Sequence, residues 1–209
     1  MASRRKFLTI LGGGMVLAAG GAGAFVATRT PEEALVPWTT AGGYDDPRMQ
    51  ALSYAILAPN PHNRQPWEVD LSVLDQVTIY RDKSRNLPAT DPFDRQLTIG
   101  MGCFLEQLAI AASATGHAVT YDLFPEGENG PVAVARFAEG ASPDHLFAHV
   151  MNRRSCKEPF QERGVASTPD LEALADIHID AARVTKLREL AKEAFKIESL
   201  TPYTLEESI

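Results

Sequence analysis

Cysteine is scarce: Cys103 and Cys156 are the only two in 209 residues. Their number and spacing exclude a disulfide framework and a multi-cysteine zinc pattern, leaving two buried or half-buried thiols, or a single bridge. Cations are also in short supply. Lys and Arg number 20 against 27 Asp and Glu, a net charge of −7, and without Arg4, Arg5 and Lys6 in the acid-free N-terminal segment the remainder stands at −10. A body that acidic is a poor partner for nucleic acid or anionic lipid. No glycine-rich dinucleotide fingerprint follows a strand-like segment, so a nicotinamide cofactor would visit as a transient substrate rather than reside in a Rossmann site. His145 and His149 are four apart on a helix-like segment but lack a third metal ligand, and Cys156 lacks the His–Asn partner pattern of a thiol nucleophile. What is present is ordinary for a globular protein, with 44% apolar and 22% charged residues, enough for one domain with a real core.

Residues 1–30 read as an export segment. Ser3-Arg4-Arg5-Lys6-Phe7-Leu8 precedes an uncharged, Gly- and Ala-rich run from Phe7 to Thr28, a pattern that resembles a twin-arginine signal. Ala22-Gly23-Ala24 is a cleavage candidate, and an uncleaved membrane anchor is the alternative. The expected location is outside the cytoplasm, periplasmic or membrane-anchored, with the twin-arginine export machinery as a partner. Residues 31–44 lack periodicity and contain Pro31, Pro37 and Gly42-Gly43, which predicts a linker or strap.

Asp46 before Pro47 is an N-cap followed by proline at the first helical position. Met49, Leu52, Ala55 and Ile56 continue that helix until Pro59 stops it at Ala58. Val69 and Leu71, then Val77-Thr78-Ile79-Tyr80, alternate as a hairpin; 82–94 is connecting loop. Gln96 to Thr115 carries Leu97, Met101, Leu105, Leu108 and Ala112 on one stripe, with Gly116 to end it, and predicts a buried central helix. Val119, Tyr121 and Leu123 pair across a turn with residues 132–137 as a second hairpin. Ser142-Pro143 opens a helix with Leu146, Phe147 and Val150, Thr168-Pro169 caps another, and Val184 to Phe195 gives a last amphipathic helix before a polar tail.

Two stretches carry candidate chemistry. Ala58-Pro59-Asn60-Pro61-His62-Asn63-Arg64-Gln65-Pro66-Trp67 has three prolines in ten residues, which stiffen an extended, turning path. An extended backbone would aim the amides of Asn63 and Gln65 to one side, toward a planar heterocycle rich in C=O and N–H groups, with Trp67 closing a wall. Otherwise this is a proline-rich corner whose amides serve its own backbone. Arg153-Arg154-Ser155-Cys156-Lys157 places three cations around a hydroxyl, a candidate phosphate clamp or else a solvated basic turn at a helix end.

The first stretch resembles the A-P-S-x-x-N-x-Q-P-W loop of nitroreductase-like flavoproteins, and Arg153-Arg154-Ser155-Cys156-Lys157-Glu158-Pro159-Phe160 resembles their R-x-S-x-[RK]-x-F motif. The resemblance implies an α+β fold, a central, mostly antiparallel sheet flanked by helices. In that family the basic motif comes first; here it follows the loop. The order suggests a degenerate first unit over 45–140 that kept the loop, and the start of a second unit over 141–209 that kept the clamp. This matches the Acg-like tandem branch, with the second unit incomplete at Ile209, so that the chain is either truncated or completed by a second chain. By resemblance, Arg153, Arg154, Ser155 and Lys157 would meet the phosphate and ribityl end of FMN, and Pro59, Asn60, Asn63 and Gln65 its ring. Asn60-Pro61 departs from the family's serines.

The implied activity is an FMN-dependent oxidoreductase acting on a small-molecule acceptor, with NAD(P)H as transient electron donor. The flavin carries the redox chemistry, so no side chain is assigned a catalytic role. The rival readings are a non-catalytic protein that binds or sequesters FMN, and an inactive truncated remnant.

Overall fold

A computed structural model describes residues 32–155, 158 and 180–208. The export-like segment, Cys156, Lys157 and the helix expected after Thr168-Pro169 lie outside the described residues. The chain divides into two compact units, Met1–Ala41 and Gly42–Ile209. In the first, the stretch read as aperiodic contains helix α1, Glu32–Thr40. Pro37 sits inside it, and the hydroxyls of Thr39 and Thr40 both donate to the Val36 carbonyl. With a proline in place and no buried side chain, there was no apolar stripe to betray it.

The second unit is α+β, as the sequence predicts. Helix α2, Pro47–Ala55, begins where Asp46 accepts a hydrogen bond from the Arg48 amide at 2.8 Å, with Pro47 at the first position. Strands β1, Trp67–Asp70, and β2, Gln76–Arg81, form the first hairpin. Helix α3, Arg95–Ser113, crosses to the second hairpin, β3, His117–Leu123, with β4, Ala133–Glu139. All pairings are antiparallel and the order is β1-β2-β4-β3, so the hairpins join through β2 and β4, with Val77 opposite Ala135 and Ile79 opposite Ala133.

Burial alternates along β2 and β4. Val77, Ile79, Ala133, Ala135 and Phe137 point inward and Tyr80, Arg136 and Ala138 outward, as the period-two pattern requires. The inward face meets Met101, Phe104, Leu105 and Leu108 of α3, and Ala51, Leu52 and Ala55 of α2 complete the core. Each large aliphatic side chain buried there is worth roughly 1.5–3 kcal/mol. The N-terminus of α3 is capped by an unexpected residue: Asp91, buried, accepts the Leu97 amide at 2.9 Å, while Asp94 adopts the left-handed conformation. Gly116, with φ 79°, turns the chain out of the helix, as expected.

Beyond the sheet, the helix expected after Ser142-Pro143 is the single turn α4, Phe147–Val150. Helix α5, Ala181–Leu200, is followed by α6, Pro202–Ser208, where the sequence suggested a polar tail. Thr201-Pro202 is a helix-start signal that the polar composition masked. The apolar residues Leu187, Leu190, Phe195, Ile197 and Leu200 of α5 are exposed. Among the described residues no helix is long and apolar enough to cross a membrane.

The guanidinium of Arg48 salt-bridges Asp46 at 2.7 Å and donates to the carbonyls of Leu71, Val73 and Gln76 at 2.8–3.2 Å, pinning α2 to the turn between β1 and β2. The Arg48 side chain holds the Asp46 carboxyl below its ordinary value of 3.8, against the raising effect of burial. A carboxylate depressed in the folded state adds stability that is full above its unfolded pKa and lost as pH falls through the folded one. Asp46→Ala should therefore cost about 0.5–2 kcal/mol at neutral pH. Urea midpoints should show the gap from wild type closing below pH 3.8.

Candidate functional site

Three prolines leave the Ala58–Trp67 loop short of backbone donors, and its shape is set by groups reaching in from elsewhere. Pro59 is exposed, Pro66 is buried, and Pro61–Asn63 forms one 3-10 turn. The expected extended path is not what forms. His62, Asn63 and Gln65 have φ of 48°, 51° and 47°, left-handed positions that strain non-glycine residues by about 1–3 kcal/mol each, least for Asn and His. The clamps that hold them are specific. The Asn60 side chain accepts the Gln65 amide at 2.7 Å and donates to the Ala58 carbonyl at 3.4 Å. Arg85 donates to the carbonyls of Arg64 and Gln65 at 2.9 and 3.3 Å, Arg64 Nε returns a bond to the Arg85 carbonyl at 3.0 Å, and the Asp82 amide takes the Pro66 carbonyl at 2.7 Å.

The 3-10 turn Lys83–Arg85 that presents Arg85 is itself braced by Asp82, which accepts from the Ser84 hydroxyl and amide and from Arg85 Nε. The Ser84 hydroxyl, ahead of the other bonds, holds the Asp82 carboxyl below its usual range. On the other flank α3 comes close to the loop because Gly100 is small: a Cβ there would lie 3.1 Å from Pro61 Cδ and 3.5 Å from Asn60 Cβ. The loop can thus approach α3 at Gly100, whereas a side chain at Gly102 would meet open space.

The amides of Asn63 and Gln65 still end on one side, by a different route. Both residues are exposed, and Gln65 Nε2 donates to Asn63 Oδ1 at 3.3 Å. Asn60 spends its side chain on the loop's own backbone. Trp67 is half-buried and stacks on Phe104 at 4.9 Å, so it anchors the loop to the core rather than presenting a free wall.

The basic stretch meets the loop at its base. Arg153 Nη2 donates to the Leu57 carbonyl at 2.6 Å, at the last turn after α2 and one residue before the loop. Its Nε is buried and has no acceptor among the described residues. Arg154 is exposed and folds back, donating to the carbonyls of Met151 and Arg153 at 2.9 and 2.7 Å. Ser155 is exposed, and Lys157 lies outside the described residues. A contact spanning 96 positions thus joins the two stretches, which spacing alone could not reveal.

Two further features carried no sequence signal. A cavity of about 730 Å3 opens between β2, the N-terminal turn of α3 and the β3–β4 turn, lined by Tyr80, Arg81, Phe93, Asp94, Met101 and Phe124. Among the described residues, none of those expected from sequence to form the site lines it, though Asn86, whose Oδ1 is buried without a partner among the described residues, does. The second is Glu207 on α6, whose carboxylate reaches the loop at 89–90. Burial works to raise its pKa, but hydrogen bonds from Ala89 and Thr90, and the nearby charge of His62, together hold it below the usual carboxylate range. His145 contacts Asp144 at 3.5 Å, and His149 and Glu106 are exposed.

Asn60→Ala should leave the Gln65 amide unpaired and cost about 1 kcal/mol, with faster hydrogen exchange at that amide. Gly100→Val should push the loop off α3 and cost roughly 1–3 kcal/mol, read as a lower urea midpoint with changed Trp67 fluorescence.

Comparison with known proteins gives a partial match. The chain is 27% identical over 164 residues to a Mycobacterium tuberculosis protein named "Putative NAD(P)H nitroreductase acg", in strains CDC 1551 and H37Rv, covering 73% of this chain and 49% of that protein. It is 35% identical over 106 residues to an uncharacterized protein of the same organism, covering 49% of this chain and 30% of that protein. No family model matches. The chain thus spans about half the length or less of these curated relatives. Its α+β arrangement, four antiparallel strands with helices, is consistent with a nitroreductase-like fold, and its sequence is distantly similar to a nitroreductase-like protein.

Proposed function

We propose that this chain builds part of a flavin site in an oxidoreductase of the nitroreductase type. The observation that carries this reading is the hydrogen bond from Arg153 to Leu57, which brings the basic stretch onto the base of the amide loop. The buried Arg153 Nε, a charged donor without an acceptor among the described residues, suits an oxygen of a ribityl or phosphate group. The similarity to a protein named as an NAD(P)H nitroreductase supports the same class of chemistry.

In this reading Asn63 and Gln65 exchange their mutual hydrogen bond for bonds to the edge of the flavin ring. Their left-handed backbone is fixed in advance by Arg85 and Asn60, so little ordering is left for binding. Arg154 and Lys157 would neutralise the phosphate of FMN, Ser155 would donate a hydrogen bond to it, and Pro59 offers an exposed apolar edge near the ring. Asn60 acts from behind, as a loop brace. FMN, when bound, supplies the electron-carrying centre, with NAD(P)H as transient donor and a small molecule as acceptor. Export by the twin-arginine route and completion of the fold by a second chain belong to the same proposal.

Full-length protein should purify with a flavin absorbance spectrum or take up added FMN. The double change Arg154→Ala, Lys157→Ala should weaken retention about tenfold or more, equivalent to about 1.4 kcal/mol. Bleaching of the bound flavin by NADPH supports the reductase, and flavin that stays oxidised supports a storage role instead. A folded chain that remains colourless and shows no calorimetric binding of FMN overturns the proposal.

A further inference from the structure

The loop between the Lys83–Arg85 turn and α3 presents three hydrogen-bond donors from two consecutive residues to one carboxylate. The Ala89 amide reaches Oε1 of Glu207 at 2.8 Å; the Thr90 amide and hydroxyl reach Oε2 at 2.9 and 2.8 Å. Both oxygens are engaged, each by a separate backbone N–H, in a fork that fits a planar carboxylate.

The fork is built without help from α6. Leu87 is fully buried, the Asp91 amide closes the turn on the Leu87 carbonyl at 2.7 Å, and the Asp94 amide bonds the Asp91 carbonyl at 2.9 Å. Asp91 is tied in turn to the Leu97 amide of α3. The two donor amides therefore project from a turn anchored in the core on either side. Their occupant, by contrast, comes from a short helix next to the exposed α5.

We propose that the Ala89–Thr90 fork is a carboxylate-binding site, and that Glu207 is its internal competitor, occupying it as a monocarboxylate ligand would. A ligand whose carboxylate displaced Glu207 would release α6 from the 89–90 turn. Tethering gives Glu207 a high effective concentration, so an external carboxylate binds weakly until the competitor is removed. The inference rests on the geometry of the fork alone and stands or falls independently of the flavin reading.

The test uses the full chain labelled with 15N and acetate as the probe, following the amide resonances of Ala89 and Thr90. In Glu207→Gln, and in Glu207→Ala as a second variant without any side-chain acceptor, acetate should shift both resonances saturably. Its apparent affinity should be about tenfold or more above that of wild type, and sodium chloride at equal ionic strength should not reproduce the shifts. Adding Thr90→Val to Glu207→Ala should weaken the response several-fold. No acetate response at Ala89 and Thr90 in either variant overturns the proposal, as does a wild-type response equal to theirs or an identical effect of chloride.

Discussion

The amide loop depends on carbonyl groups that it cannot satisfy itself. Prolines at 59, 61 and 66 remove three donors, so oxygens at Leu57, Arg64, Gln65 and Pro66 are met by groups from outside: Arg153, Arg85 and the Asp82 amide. Those donors come from two other parts of the chain, the 82–85 turn and the segment after α4. The loop is therefore shaped by the tertiary fold as much as by its own prolines, and its strained left-handed residues persist because several independent bonds hold them.

Beneath the loop, α3 provides the platform. Its apolar stripe fills the inward face of the sheet, Phe104 receives Trp67, and Gly100 leaves room for Pro61. The small residues along this helix differ in their surroundings: Gly100 accommodates the loop, Ala111 and Ala112 pack in the core, and a Cβ at Gly102 would meet open space. Fold and candidate site thus share one helix, and a change on its loop-facing side would alter both.

The hairpins, α2 and α3 were legible because a local rule dictates each. Alternation fixes which faces of β2 and β4 are buried, Asp46-Pro47 marks a helix start, and Gly116 marks a stop. The existence of the loop was legible for the same reason. Its conformation was not, since φ at Asn63 and Gln65 answers to Arg85 and Asn60 rather than to neighbouring prolines. Helix α1 hid behind Pro37 and α6 behind its polar composition. The role of Arg153 was invisible because its acceptor lies 96 positions away. A cation in a basic run looks the same in sequence whether it faces solvent or a carbonyl in the interior.

The bridge made by Arg48 bears on how the first hairpin is specified. The turn between β1 and β2, Leu71 to Asp75, contains no glycine or asparagine to impose a tight reversal, and Asp75 itself sits at φ 55°. One guanidinium instead gathers the carbonyls of Leu71, Val73 and Gln76. Strand register here is inherited from the docking of a helix rather than encoded in the reversal. A slip by one residue, which would turn Val77 and Ile79 outward, is opposed from a distance by a side chain belonging to neither strand.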